Sequence, residues 1–210
     1  MFIKRILDNE KNSRIKIIGV GNLGNSIIDK FYKKNLEYHT IVITPNEGDG
    51  FGIPDTKLIL GYNTNRGLPI VSDEETAQAI FEESKNEIES ILRNHSEYSS
   101  NDNIIITGGI GDNLSNVIIP EILKLNNKIA NKNRKVFVIV STPFKFEGTQ
   151  KNNNSKIYLN KLEEMKNNNI IDKLVIINSD EYNKHSGVRE NYDIVIEKEC
   201  DEVYNIINTL

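Results

Sequence analysis

The stretch Gly19-Val20-Gly21-Asn22-Leu23-Gly24-Asn25 places three glycines in G-x-G-x-x-G spacing. Between a strand and a helix, such a turn aims backbone N–H groups and a positive helix end at an anion, so phosphate is the ligand it suits. The same spacing also serves a tight strand-to-helix turn that binds nothing, and dinucleotide enzymes share it. A dinucleotide site further needs an acid about 20 residues on, at the tip of the next strand, to hold a ribose. Thr44-Pro45-Asn46-Glu47 supplies Glu47 there. An NAD- or nucleotide-dependent enzyme using Gly19, Gly21, Gly24 and Glu47 is therefore one open reading.

Other reactive side chains form no constellation. His39, His95 and His185 lack metal-ligand spacing and read as surface or satisfied histidines. Glu82-Glu83 and Glu163-Glu164 fall on predicted helices and read as solvated faces. No serine lies in a nucleophile elbow. The single cysteine, Cys200, lies in the acidic run Glu197-Lys198-Glu199-Cys200-Asp201, which raises a thiol pKa rather than activating it. It reads as a buried structural thiol, and a lone cysteine fits a reducing compartment, the cytoplasm. No catalytic residue and no metal ligand is expected.

Composition narrows the class. The chain has 210 residues, 38% hydrophobic and 27% charged, with a net charge of -4. That is the balance of one globular domain. An acidic surface is a poor grip for a phosphate backbone, so no nucleic-acid partner is expected. No apolar run approaches the roughly 20 residues of a membrane span. The start, Met1-Phe2-Ile3-Lys4-Arg5-Ile6-Leu7, is too short for a secretory signal. It suits an amphipathic foot or, more simply, a strand or helical turn packed on the domain. The many asparagines, as in Asn152-Asn153-Asn154, read as loop filler.

The candidate residues need a frame, and the apolar pattern supplies one. Strands are predicted over 15–20, 40–44, 57–60, 103–107, 135–140 and 173–177. Between them fall helices over 25–34, 73–93, 115–130 and 151–167, and a last helix begins near 191. Ser72, with Glu75 three residues later, forms a capping box for the second helix. Continuous apolar strands alternating with helices give a three-layer α/β fold, a Rossmann-like parallel sheet with helices on both faces. In such sheets ligands bind beyond the carboxyl ends of the strands. The tips carrying Gly21, Thr44, Gly109, Pro143 and Ser179 should then converge on one edge.

Several stretches together resemble the nucleotide-binding half of the FtsZ/tubulin family. Residues 15–21 through Gly24-Asn25 are similar to the opening of FtsZ. So are Thr56-Lys57 to Leu60-Gly61, Thr64-Asn65-Arg66-Gly67-Leu68, and Glu82-Glu83-Ser84. Residues 105–111, with Pro120 beyond them, resemble the approach to the tubulin signature loop. Thr142-Pro143-Phe144-Lys145-Phe146-Glu147-Gly148 carries the family's P-F-x-F-E-G and speaks against a dehydrogenase. Asn178-Ser179-Asp180 stands where the family reads P-N-D. The matches keep their order over residues 15–180.

The departures fall on the phosphate loops. The family's signature loop is G-G-G-T-G-T-G, whereas residues 111–117 here keep only Gly111. Asp112 brings a negative charge beside any anion, unless it simply caps the next helix. A second phosphate loop, G-A-G-A-N in the family, is replaced by Pro69-Ile70-Val71-Ser72-Asp73. Asn22-Leu23 replaces two glycines, and Ser179 stands at the base-recognition asparagine. The resemblance implies one domain over residues 1–210 with the family's C-terminal activation domain absent. The candidate nucleotide contacts are Gly21, Asn22, Gly24, Asn25, Gly109, Gly111, Asp112, Asn113, Glu147, Ser179 and Asp180. The expectation is a degenerate domain that binds GTP or GDP weakly or holds no ligand, and hydrolyses nothing on its own. It would act by self-association or through a protein partner such as an FtsZ-like filament. A genuine GTP binder with an altered pocket, using Gly21, Asn25, Gly109, Gly111, Ser179 and Asp180, stays open as the alternative.

Overall fold

The structure is a computed structural model that describes residues 15–32, 38–46, 54–64, 71, 73–93, 103–130, 134–183 and 187–210. Six strands form one sheet: β1 (Ile15–Val20), β2 (His39–Thr44), β3 (Thr56–Ile59), β4 (Asn103–Gly109), β5 (Val136–Ser141) and β6 (Lys173–Ile177). Their order across the sheet is β3-β2-β1-β4-β5-β6. Every pairing is parallel, with Ile18 of β1 opposite Ile41 of β2 and Ile106 of β4. The central strands are buried on both faces, which is why their sequences run apolar without alternation.

Among the described residues four α-helices lie between strands, α1 (Gly21–Tyr32), α2 (Glu74–Arg93), α3 (Asn113–Ile129) and α4 (Thr149–Asn167), and α5 (Val188–Ile207) follows β6. Two short turns of 3-10 helix, Lys145–Glu147 and Ser179–Tyr182, follow β5 and β6. One face of the sheet packs Ile18, Val20, Ile104, Ile106 and Val138 against residues of α2, α3 and α4. The other packs Ile17, Ile105, Phe137 and Ile139 against Ile28 and Phe31 of α1 and Val195, Val203 and Ile206 of α5. This is the expected doubly covered parallel sheet.

Some boundaries differ from the sequence reading. Helix α1 begins at Gly21 rather than 25, because Gly21 itself turns the chain at φ 69° and the helix follows at once. Helices α4 and α5 begin two and three residues earlier than predicted. At the start of α2 the Thr76 N–H donates to Asp73 Oδ1 at 2.7 Å, so Asp73 does the capping expected of Ser72, which lies outside the described residues. Cys200 is buried, as expected of a structural thiol, and its Sγ–H donates to the Ile27 carbonyl at 3.6 Å. Lys16 is almost wholly buried on β1, and its ammonium donates to the carbonyls of Ile91 and Leu92 at 3.1 and 3.3 Å. It thus binds the carboxyl end of α2, where a cation is favoured.

Candidate functional site

All six strands point the same way, so their tips meet on one edge. A cavity of about 480 Å³ opens there, lined by the loops after β1, β2, β4, β5 and β6 and by α5. That volume lies within the range of small-ligand clefts. The five tips expected to converge do so.

Seven of the eleven candidate residues line this cavity: Gly21, Asn22, Gly109, Asp112, Asn113, Glu147 and Ser179. The other four serve the fold. Gly24 is a contact point between α1 and the sheet, since a β-carbon there would sit 2.7 Å from Gly19 C and from Thr107 O. The glycine pair Gly19 and Gly24 therefore reflects close helix-on-strand packing. Asn25 turns inward; it is buried and its side-chain oxygen has no partner. Asp180 accepts from the Lys145 N–H at 3.0 Å and pairs with the Lys145 ammonium, which joins the two 3-10 turns. Gly111 gives its N–H to Asn116 Oδ1 at 2.8 Å. Glu47, needed for the dinucleotide reading, lies outside the described residues, as do His95, His185 and residues 65–70.

The loop between β4 and α3 is held by its own side chains. Asp112 caps α3, accepting the Ser115 N–H at 2.8 Å, while Asn116 takes the Gly111 N–H. The Ile110 N–H is bound to the Ser141 carbonyl. Asn113 Nδ2 reaches across to the Val71 carbonyl at 3.1 Å, tying this loop to the one before α2. Leu23 lies over the β4 tip, its Cδ2 only 3.1 Å from where a β-carbon of Gly109 would be.

Across the cleft, Glu147 accepts the Phe144 N–H at 2.8 Å and the Lys151 ammonium at 2.5 Å. Lys151 is the only basic side chain among the lining residues described. Crowding by neighbours pushes the Asp112 carboxyl above its ordinary range, and the Ser115 N–H and Lys151 ammonium oppose that rise. The side chain still keeps an exposed edge at the cleft mouth, so solvent screens much of the effect. Burial, together with Glu147, pushes the Tyr192 phenol up, so it stays protonated beside that carboxylate.

No family model matches the chain. It is 24% identical over 193 residues to the cell division protein FtsZ of Helicobacter pylori, covering 89% of this chain and 48% of that protein. Among solved structures, the empty FtsZ dimer of M. jannaschii superposes with a TM-score of 0.76 at 20% identity, over 93% of this chain and 54% of that one. The GTPγS-bound protofilament of CetZ2 from Haloferax volcanii gives 0.75 at 18% identity, over 90% and 56%. The chain is FtsZ/tubulin-like. It spans about half the length of the curated relatives it matches, and its sheet has the topology of the FtsZ/tubulin GTPase domain.

In this FtsZ/tubulin-like frame, the sequence reading missed several residues at the cleft. Leu23, Ser26, Ser115, Ser141, Thr142, Lys151 and Tyr192 all line it. Ser26, one position after Asn25, faces the cavity that Asn25 turns away from. Directly beneath the cleft, Glu199 of α5 is wholly buried, with the Thr107 hydroxyl donating to its Oε2 at 2.5 Å. Burial raises its pKa to about 8, though Thr107, the Ser141 hydroxyl and the Gly108 N–H all favour the charge. Its other oxygen has no partner in hydrogen-bonding geometry. Among the described residues no three His, Cys, Asp or Glu side chains gather as a metal site.

Proposed function

We propose that this chain is a degenerate FtsZ/tubulin-like domain of the cytoplasm that binds GTP weakly or not at all. It hydrolyses none by itself and works by association, with copies of itself or with an FtsZ-like filament, in cell division or a cytoskeleton. One observation carries this reading: N–H groups of the β4–α3 loop are already taken by Asp112 and Asn116. A phosphate would have to break these bonds and lie beside a carboxylate. Each charge-assisted hydrogen bond it fails to gain is worth roughly 1.5–3 kcal/mol. Losing two would weaken binding a hundredfold or more, on the order of two decades.

The test is to denature the purified chain, chromatograph the released nucleotide, and follow phosphate release with GTP. No stoichiometric nucleotide and negligible release are expected, and sedimentation alone or with an FtsZ-like filament should be the same with and without GTP. Bound GTP, or steady release that a change at Asn22 abolishes, would overturn the reading. A second reading is a GTP binder with an altered pocket. It draws on the cavity that persists at Gly21, Gly109 and Ser179, and on relatives solved with GDP and GTPγS.

A further inference from the structure

The sheet ends at β6, which pairs with β5 alone, so its other side meets no strand among the described residues. A bare strand edge is a template for another chain, and folded proteins guard such edges with charge or cover. Here the guard is thin. Lys173 carries the one charge of β6, and Leu174, Val175, Ile176 and Ile177 are apolar. Leu174 packs into the core cluster that holds Leu162 and Met165 of α4, and Ile176 points to the same face. Yet Ile176 stays 39% exposed and Ile157 of α4 stays 66% exposed, so α4 leaves this margin uncovered. The opposite edge strand, β3, exposes no large apolar side chain.

Backbone direction settles which groups lie open. The Thr142 N–H donates to the Ile177 carbonyl, so Ile177 turns its backbone toward β5. Alternate residues of a strand turn the same way, so Lys173 and Val175 also face β5. Leu174 and Ile176 therefore hold both N–H and C=O outward. We propose that this edge of β6 is where two copies of the chain pair, antiparallel about a two-fold axis at Val175. The inference rests on the reading that the chain works by association; it names the partner and the surface. With the axis at Val175, Leu174 stands opposite Ile176 of the second copy. Each such pair exchanges two N–H···O bonds and sets two apolar side chains together on the α4 side. The charged ends match as well. Lys173 lies on the α5 side of the sheet, as does the Ser179–Tyr182 turn, whose Tyr182 packs into the cluster holding Val195 of α5. Antiparallel pairing carries the exposed Lys173 of one copy toward that turn of the other, where Glu181 is exposed and accepts from the Asn178 amide at 3.2 Å. One copy offers one such edge, so the assembly closes at two.

The experiment is sedimentation velocity of the intact chain, over concentrations on the order of 1 μM to 1 mM, where small transient interfaces form. Ile176→Lys, Lys173→Glu and the double variant Lys173→Glu with Glu181→Lys run alongside, with circular dichroism and a thermal melt to check folding. Amide exchange at Leu174 and Ile176 is followed by NMR at both ends of the range. The wild type should pass from monomer to dimer. Each single variant should weaken the dimer by about tenfold or more, and the double reversal should return it to near the wild-type value. Exchange at the two amides should slow as concentration rises. A wild type that stays monomeric throughout overturns the proposal. So does a folded Ile176→Lys or Lys173→Glu that dimerises as tightly as the wild type. So does slow exchange of both amides at the lowest concentration, which would mean that the chain covers its own edge. The same samples are sedimented with an FtsZ-like filament. Filament binding without β6 pairing would leave the association reading standing, and the absence of both would end it.

Discussion

Glu199 keeps a carboxyl group wholly inside the protein, held by one hydroxyl of β4. Its folded pKa is about 8, against an ordinary value of 4.5. The folded state therefore holds a proton that the unfolded chain releases between those two values. Stability from this group is fully present below about pH 4.5, falls as pH rises toward about 8, and is flat beyond. The slope in that window approaches 1.4 kcal/mol per pH unit, the value of one proton. Denaturant midpoints measured from pH 5 to 9 should fall in the wild type and lose that slope in Glu199→Gln, which keeps the Thr107 bond without titrating. A slope unchanged by the variant would place the titration elsewhere. Sequence reading saw only an acidic run at residues 197–201, since four of its five residues carry charge. Helical geometry turns Glu199 and Cys200 inward and leaves Glu197, Lys198 and Asp201 exposed, and that depends on what α5 packs against. By contrast Asp112 was legible as a helix cap, because the acid stands just before a helical pattern. Asn116 was not, since its bond to Gly111 depends on the path of the loop between them.

At the scale of elements, α1 lies closely on β1 and β4 through Gly24, where an added methyl would meet backbone on two sides. Backbone cannot swing aside as a flexible side chain can, so Gly24→Ala should cost about 1–3 kcal/mol. The melting point should drop by several degrees, about 2–4 °C per kcal/mol in a domain of this size. A melt unchanged within a degree would mean that α1 shifts outward at no cost. The strands themselves were readable, all six falling within a residue or two of their predicted bounds, because strands buried on both faces must be apolar throughout. Helix starts were less so. Gly21 both ends a strand and opens a helix, and no residue type marks that junction. The reach of α4 and α5 into the cleft, through Lys151 and Tyr192, was hidden because each comes from a helix far along the chain from the glycine turn.

For the whole molecule, ligand linkage gives a bulk measurement. A ligand that binds only the folded state stabilises it by RT ln(1 + [L]/Kd). If GTP binds no more tightly than 1 mM, then 1 mM GTP adds at most about 0.4 kcal/mol. The melting point should then move by no more than about 2 °C, and a larger rise would count against the proposed function. The parallel sheet and the converging tips followed from the sequence because they rest on long apolar runs alternating with helices; the order of the strands did not, because it is set by which strands pair. The electrostatics of the cleft did not, because they arise where five separate loops meet. The self-bound loop before α3 has one more consequence. Its bonds come from Asp112 and Asn116 of the same chain, so the Ser115 and Gly111 amides are satisfied from within the chain. On the proposed function, the maturation of newly made chains is then indifferent, at this edge, to whether a cell is energy-rich or starved.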